Sequence, residues 1–315
     1  MIDERYVVGD WGTSRLRLFL CAGTGTILDT LDGPGVAAVK TPFDALFESI
    51  MRPWEAQYGK LSAVLCGMVG SSIGWVQAPY VRCPADPEKI IDACIALRGG
   101  LVRIVPGARC ENRLRAADFM RGEETQILGA LTLEPALRGG RRLLCLPGTH
   151  TKWVLLEDGI IREFLTALTG ELFGALRDHS VLVPPESRAE AVSAGAAFEE
   201  GIKRFNEYPQ TQVLHRLFEC RSRVLNGELG AATVASFLSG LLIAADVDAA
   251  LRLFANSAAK TTVYLIGEPQ LTQLYAAALQ QQPCDAQQFD GAAASLAGLR
   301  RVHQYIASQA DTHAV

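Results

Sequence analysis

One pattern in this chain occurs twice, and it constrains the fold more than any other feature. Residues 6–18 run as an apolar stretch, a tight turn Asp10-Trp11-Gly12-Thr13-Ser14, and an alternating strand from Arg15. Residues 143–156 repeat the design around Pro147-Gly148-Thr149-His150-Thr151-Lys152-Trp153. Setting Gly148-Thr149 on Gly12-Thr13 also brings Gly159 onto Gly23, and a third strand follows each hairpin at 26–31 and 160–165. Such a repeat sets the architecture before any local reading. It predicts two α/β halves, each opening on a three-strand meander and continuing as strand–helix alternation.

The 315 residues, 49% of them apolar, suffice for two cores of about 100–200 residues each. Arg138-Gly139-Gly140 is the natural boundary, giving domains 1–138 and 139–315. In the first, strands are expected at 6–10, 16–22, 26–31, 61–66 and 102–105, with helices at 42–58 and 123–133 and an irregular stretch between 105 and 123. In the second, helices are expected at 188–206, 212–225, 230–255, 269–281 and 292–307, a strand at 262–266, and a loose tail at 308–315.

Charge and cysteine usage exclude several classes. Thirty basic and 34 acidic residues are well mixed, for a net charge of −4, so no basic block suits nucleic acid. The charged start at 1–5 is not a secretory signal. The most membrane-like stretch, 235–255, carries Asp246, Asp248 and Arg252 and reads as a buried helix. Eight cysteines without a CxxC pair suit a reduced, cytoplasmic protein without zinc or disulfides. Walker A, GxSxG and GxGxxG patterns are absent.

A strand–turn–strand with glycine at its apex exposes backbone N–H groups to an anion. Thr13 and Ser14 add hydroxyls to the first turn, and Thr149 to the second. Asp10 stands at the strand end, and Mg²⁺ takes one or two carboxylates beside phosphate oxygens and water. A single such hairpin reads equally as an ordinary turn with a surface acid. Two copies facing each other would clamp a polyphosphate. A phosphotransferase also needs a base for the acceptor hydroxyl. Glu123 and Glu124, at the start of a helix, are the candidates, with Asp118 behind them. Acids there can equally serve as caps. Arg121 could offset an anionic substrate, and the loop at 67–84 offers Gly70, Ser71, Trp75, Tyr80 and Arg82 for a small polar acid, with packing the alternative for Trp75.

These elements together resemble the actin-like superfamily of sugar kinases, and more closely the 2-dehydro-3-deoxygalactonokinase family. The stretches that carry the resemblance are Asp10-Trp11-Gly12-Thr13-Ser14, Cys66-Gly67-Met68-Val69-Gly70-Ser71, Trp75-Val76-Gln77-Ala78-Pro79-Tyr80, Met120-Arg121-Gly122-Glu123-Glu124-Thr125-Gln126, the second turn, and Leu168-Thr169-Gly170-Glu171-Leu172-Phe173. Leu265-Ile266-Gly267 adds a weaker match. The resemblance implies an α/β fold of two RNase H-like (actin-like ATPase) domains with an interdomain nucleotide cleft. It implies ATP with Mg²⁺ and phosphorylation of the terminal 6-hydroxyl of 2-dehydro-3-deoxy-D-galactonate, for galactonate catabolism.

By position it puts Gly12, Thr13 and Ser14 in the first phosphate turn, Asp10 near Mg²⁺, Gly148 and Thr149 in the second turn, and Gly267 at the adenosine site. Glu123 or Glu124 falls where related families place a catalytic acid. One departure stands out: Leu146-Pro147 precedes the second Gly-Thr, where many superfamily members carry an acid. Lys152 is then either a phosphate partner or an exposed strand lysine. A same-fold kinase for another sugar acid, such as 2-dehydro-3-deoxygluconate, and a non-catalytic ATP-binding scaffold remain as alternatives. Expected partners are ATP and a small sugar acid, with no nucleic acid or membrane; self-association is compatible with such a chain.

Overall fold

The structure, a computed structural model, describes residues 5–254 and 261–313, with side chains up to Gln309. The charged start at 1–4, the end of the helix expected to 255 and the end of the tail at 314–315 lie outside the described residues.

The opening meander forms as β1 (Tyr6–Trp11), β2 (Arg15–Cys21) and β3 (Ile27–Pro34), followed by α1 (Phe43–Tyr58) and β4 (Ser62–Cys66). Next come β5 (Tyr80–Arg82), α2 (Pro87–Asp92), β6 (Ile95–Leu97), β7 (Val102–Ile104), β8 (Gly107–Glu111), β9 (Ala117–Met120) and α3 (Glu123–Leu133). The repeat begins with β10 (Arg141–Leu146), β11 (Thr151–Glu157) and β12 (Ile160–Ala167). It continues through α4 (Thr169–His179), α5 (Ala196–Glu207), α6 (Glu219–Leu225), α7 (Val234–Phe254), β13 (Thr261–Gly267), α8 (Pro269–Leu279) and β14 (Cys284–Asp290) to α9 (Gly291–His313).

The duplication is visible in sheet order. One sheet runs β3-β2-β1-β4-β7-β6 and the other β12-β11-β10-β13-β14. Each is an antiparallel meander whose first strand pairs in parallel with the next strand of the alternation: β1 with β4, and β10 with β13. A third sheet, β5-β8-β9, takes β8 and β9 from the stretch expected to be irregular and β5 from the loop expected at 67–84.

The chain divides into two compact units. Unit 1 gathers the chain up to Gly140, Leu156–Glu163 and the chain from Gly291 onward; unit 2 holds Arg141–Leu155 and Phe164–Asp290. The expected domain 139–315 therefore differs from unit 2 in one large respect: α9 packs in unit 1, where the His303 ring stacks on Tyr6 at 3.8 Å and hydrogen-bonds Ser62.

In unit 1, α1 turns Phe47, Met51 and Trp54 inward, spaced for one helix face, against Val7, Trp11, Leu16 and Leu18. Unit 2 buries Trp153 and Leu155 of β11 against Phe198 and Ile202 of α5 and Phe237 and Leu241 of α7. Helix α7 is long and apolar enough to cross a membrane by length and composition, yet most of it is core of unit 2.

Three expectations need correcting. The helix expected at 188–206 starts only at Ala196, because the segment before Gly195 runs as loop after Pro184-Pro185. The stretch 212–225 is a 3-10 turn, Val213–His215, and then α6. Residues 308–313 continue α9 and are not loose.

Candidate active site

Each unit carries one of the repeated turns, and each turn is backed by a glycine from elsewhere in the same unit. In unit 1 the turn after β1 closes through Gly12 N–H donating to the Arg15 carbonyl at 2.9 Å. Behind it lies Gly35. A Cβ there would sit 2.2–2.3 Å from backbone atoms of Thr13, Ser14 and Arg15, so only glycine lets this segment reach the turn. The following N–H groups of Val36 and Ala37 donate to the carbonyls of Gly12 and Thr13. The turn's carbonyls are thus tied inward, and the Thr13 and Ser14 side chains stand in solvent.

Asp10 occupies the end of β1, in register with Cys66 at the end of β4. Arg17, opposite it on β2, donates to Asp10 Oδ2 at 3.1 Å. A Cβ on Gly67 would lie 3.1 Å from Asp10 Oδ1, and one on Gly122 would lie 3.7 Å from the Gly67 Cα. So the first carboxylate, the β4 end and the start of α3 converge on one spot. Cys66 registers this crowding. Burial pushes its thiol well above the usual range, and the charges of Asp10 and then Glu124 add to the effect. Asp10 is a single carboxylate, and among the described residues no group of three or more potential metal ligands occurs. That donor set fits Mg²⁺ carried in by phosphate oxygens and water, not a protein cage.

The two glutamates divide sharply. Glu124 is fully buried; both its oxygens accept from Gly122 N–H, at 2.8 and 3.0 Å, and Oε1 also accepts from Thr125 Oγ1. Glu123 is half-buried, and its Oε2 accepts from the Arg121 N–H at 3.0 Å. Burial, then the nearby Glu123 charge, pushes the Glu124 carboxyl up to about 8. A carboxyl raised by folding stabilises the folded chain fully below its ordinary value of 4.5, and that contribution is lost as pH rises through about 8. The slope is about 1.4 kcal/mol per pH unit. Tm is therefore expected to fall more steeply between about pH 5 and 8 in the natural chain than in Glu124→Gln. Parallel Tm–pH curves for the two proteins would remove Glu124 as the cause.

Other expected residues around this half take defined places. Arg121 donates Nη2–H to the Ala78 carbonyl at 2.8 Å, and its guanidinium lies 4.3 Å over the Tyr80 ring. Its Nε and Nη1 are buried without a hydrogen-bond acceptor, Nη1 lying where a Cβ on Gly70 would come within 2.9 Å. Arg82 is exposed on β5. Ser71 turns its hydroxyl onto the Met68 carbonyl, and Trp75 packs on Phe47 and Trp11, so both serve the loop's own structure. Asp118 is buried and accepts from Asn112 Nδ2 and Phe119 N–H within the β8–β9 hairpin.

Unit 2 repeats the backing of the turn with a helix. A Cβ on Gly170 would lie 2.3 Å from the Gly148 carbonyl oxygen and 2.9 Å from the Thr149 Cα. The next N–H, of Glu171, donates to the Thr149 carbonyl at 2.9 Å. Glu171 also pairs with His150 Nε2 at 2.5 Å, a contact that sequence reasoning did not anticipate. Lys152 is buried, its Nζ donating to the His150 carbonyl at 3.4 Å, so it is not the exposed strand lysine of the alternative. Gly267 comes beside the turn, where a Cβ would meet the Pro147 carbonyl at 3.4 Å.

Next to Gly148 opens a cavity of about 380 Å³. Thr169, Gly170 and Phe173 of α4 line one side, Leu242 and Ile243 of α7 and Leu271 and Leu274 of α8 the apolar floor, and Glu190, Glu268 and Gln270 its polar edge. The cavity mixes these apolar side chains with polar and charged ones, Arg177 and Ser239 among them, beside the Gly148-Thr149 turn, and concave sites of that makeup take small ligands.

Comparison with known proteins agrees with this architecture. The family model described as 2-keto-3-deoxy-galactonokinase matches residues 10–302. The 2-dehydro-3-deoxygalactonokinase of Escherichia coli (strain K12) is 35% identical over 313 residues, covering 98% of this chain and 100% of the relative. A protein of Rhizobium meliloti (strain 1021) with the same activity in its name is 36% identical, covering 93% of this chain and 95% of its own. The crystal structure of a Sinorhizobium meliloti protein, whose description names that activity too, superposes with a TM-score of 0.86 at 34% identity, covering 96% of this chain and 99% of its own. Component A of the Acidaminococcus fermentans (R)-2-hydroxyglutaryl-CoA dehydratase, 10% identical with a TM-score of 0.52 and covering 96% and 99% of the two chains, shares the fold.

Proposed function

The chain belongs to the 2-keto-3-deoxy-galactonokinase family, and on that premise we propose that it transfers the γ-phosphoryl group of ATP to the 6-hydroxyl of 2-dehydro-3-deoxy-D-galactonate. The observation that carries this reading is the convergence of the Asp10 carboxylate and the acid-bearing start of α3 on Gly67. A phosphoryl transfer needs a metal anchor and a proton acceptor close together, and little covalent help beyond that.

In this reading Asp10 would hold Mg²⁺, and Arg17 fixes the carboxylate by occupying Oδ2. Mg²⁺ would neutralise charge on the phosphate oxygens. Glu123 is the base: it is half-buried at the α3 start, where a substrate hydroxyl can approach, whereas Glu124 is fully buried. The acceptor's 6-hydroxyl oxygen bonds the γ-phosphorus, the bond to the β-phosphate oxygen breaks, and the hydroxyl proton goes to Glu123. Arg121, with no carboxylate partner among the described residues, together with Arg82 and the Gly70 backbone, supplies the positive and polar surface for the sugar acid. Ser71, Trp75 and Tyr80 shape that surface from behind. In unit 2, Gly148 and Thr149 take phosphate, the buried Lys152 adds its charge behind the turn, and Gly267 stands beside that turn, one residue before Glu268 of the pocket read as the adenosine site. All eight cysteines are free, which supports a reducing, cytoplasmic setting.

The test is acceptor-dependent ADP release over a panel of 2-keto-3-deoxy sugar acids with Mg–ATP. The galactonate compound is expected to give the highest kcat/KM, with the gluconate epimer slower. A higher value for the gluconate epimer would reassign the substrate. ADP release indifferent to every acceptor would instead support an ATP-binding scaffold.

A further inference from the structure

The buried acid of α7 lies outside the chemistry so far. Asp246 sits near the middle of this largely apolar helix, with 9% of its surface exposed. Its Oδ1 accepts from Trp153 Nε1–H at 2.8 Å, and its Oδ2 accepts from Thr169 Oγ1–H at 2.7 Å and Tyr275 O–H at 2.6 Å. With its proton committed to Asp246, the Tyr275 oxygen accepts from Thr151 Oγ1–H at 2.8 Å. One carboxylate therefore ties together the strand leaving the second phosphate turn (Thr151, Trp153), the first residue of α4 (Thr169) and the middle of α8 (Tyr275).

Those are the parts that border the pocket. Thr169 and Tyr275 line it, and Gly170, next to Thr169, packs against the Gly148 carbonyl. Asp246 itself does not line it. An acid in an apolar helix is expensive unless its donors are all in place. A core that needed only to pack could use leucine here and avoid the cost.

We propose that Asp246 is a positioning residue for the nucleotide: it sets the α4 start and α8 at the spacing from the Gly148-Thr149 turn that the pocket requires. The inference rests on the nucleotide reading of that pocket. Replacement by Asn keeps the size but removes the charge and one acceptor, so its single amide oxygen cannot serve Trp153 on one side and Thr169 and Tyr275 on the other.

Calorimetric titration of the full chain with Mg–ADP tests it. Asp246→Asn is expected to weaken Mg–ADP binding about tenfold or more, the loss of a hydrogen bond to a charged group. KM for ATP should rise in step, while KM for the sugar acid and kcat at saturating ATP stay near their natural values. Thr169→Val should weaken Mg–ADP binding comparably and Thr169→Ser should restore it, and these two variants carry the test if Asp246→Asn does not fold. Thr169→Val combined with Asp246→Asn should be no worse than the poorer single variant, because both break one linkage.

Mg–ADP affinity within about twofold of the natural chain in folded Asp246→Asn would overturn the proposal, being too small for a lost charged hydrogen bond. So would a fall of kcat with a rise of both KM values, or failure of Thr169→Ser to restore binding. Absence of Mg–ADP binding by the unaltered chain would overturn the nucleotide reading, and this proposal with it.

Discussion

Asp10→Asn is expected to lower kcat by at least about 10²-fold, the scale of losing a fixed charge at a phosphoryl-transfer centre, and to leave the protein folded. The substitution is isosteric, and Asp10 sits at a strand end with its side chain 30% exposed. Its ion pair with Arg17 is also partly exposed, and such pairs contribute about 0–1 kcal/mol. Melting should shift by no more than a few degrees. The Mg²⁺ concentration needed for half-maximal rate should rise, since a neutral amide is a far weaker ligand than a carboxylate. Near-natural kcat in a folded Asp10→Asn protein would sink the metal assignment, and an unchanged Mg²⁺ requirement would move the metal elsewhere.

The second large effect separates two neighbours. Glu123→Gln is expected to cost about 10²–10⁴ in kcat, the usual weight of a positioned base. Glu124→Gln should cost far less, because Glu124 touches only Gly122 N–H and Thr125 and an amide oxygen can keep the Gly122 contact. Its effect should appear in stability and its pH dependence. Measured under single-turnover conditions, the reverse order would assign the base to Glu124 and leave Glu123 as the group holding the Arg121 N–H.

The repeated meander was legible because its information is local. Alternation, a glycine apex and the length of each strand lie within about 25 residues of each other, and the expected helix at 123–133 coincides with α3. What stayed hidden depends on contacts distant in sequence. Gly35 and Gly170 are ordinary glycines until the turns they back are in place. The second-half edge strand β14 carries Asp285, Gln287 and Gln288 and lacks the apolar alternation of a half-buried strand. Glu123 and Glu124 are adjacent in a first helical turn, where sequence offers no phase to tell the inward one from the outward one. Asp246 was visible only as a mark against a membrane span; its three donors come from β11, the start of α4 and the middle of α8, which no spacing rule connects.

The return of α9 to unit 1 bears on how the chain is made. Unit 2 is inserted within unit 1 in two pieces, because the chain leaves at Gly140, rejoins unit 1 for Leu156–Glu163, and comes back to it from Gly291. A nascent chain emerging from the ribosome therefore has all of unit 2 available before the helix that covers Tyr6 and Ser62 has been translated. Unit 2 can complete its core during synthesis, whereas the sheet of unit 1 must wait, with one face uncovered, for the last residues. Chaperone dependence should accordingly reside in the N-terminal sheet, and a stop codon ahead of α9 should yield a chain whose second half folds and whose first half aggregates.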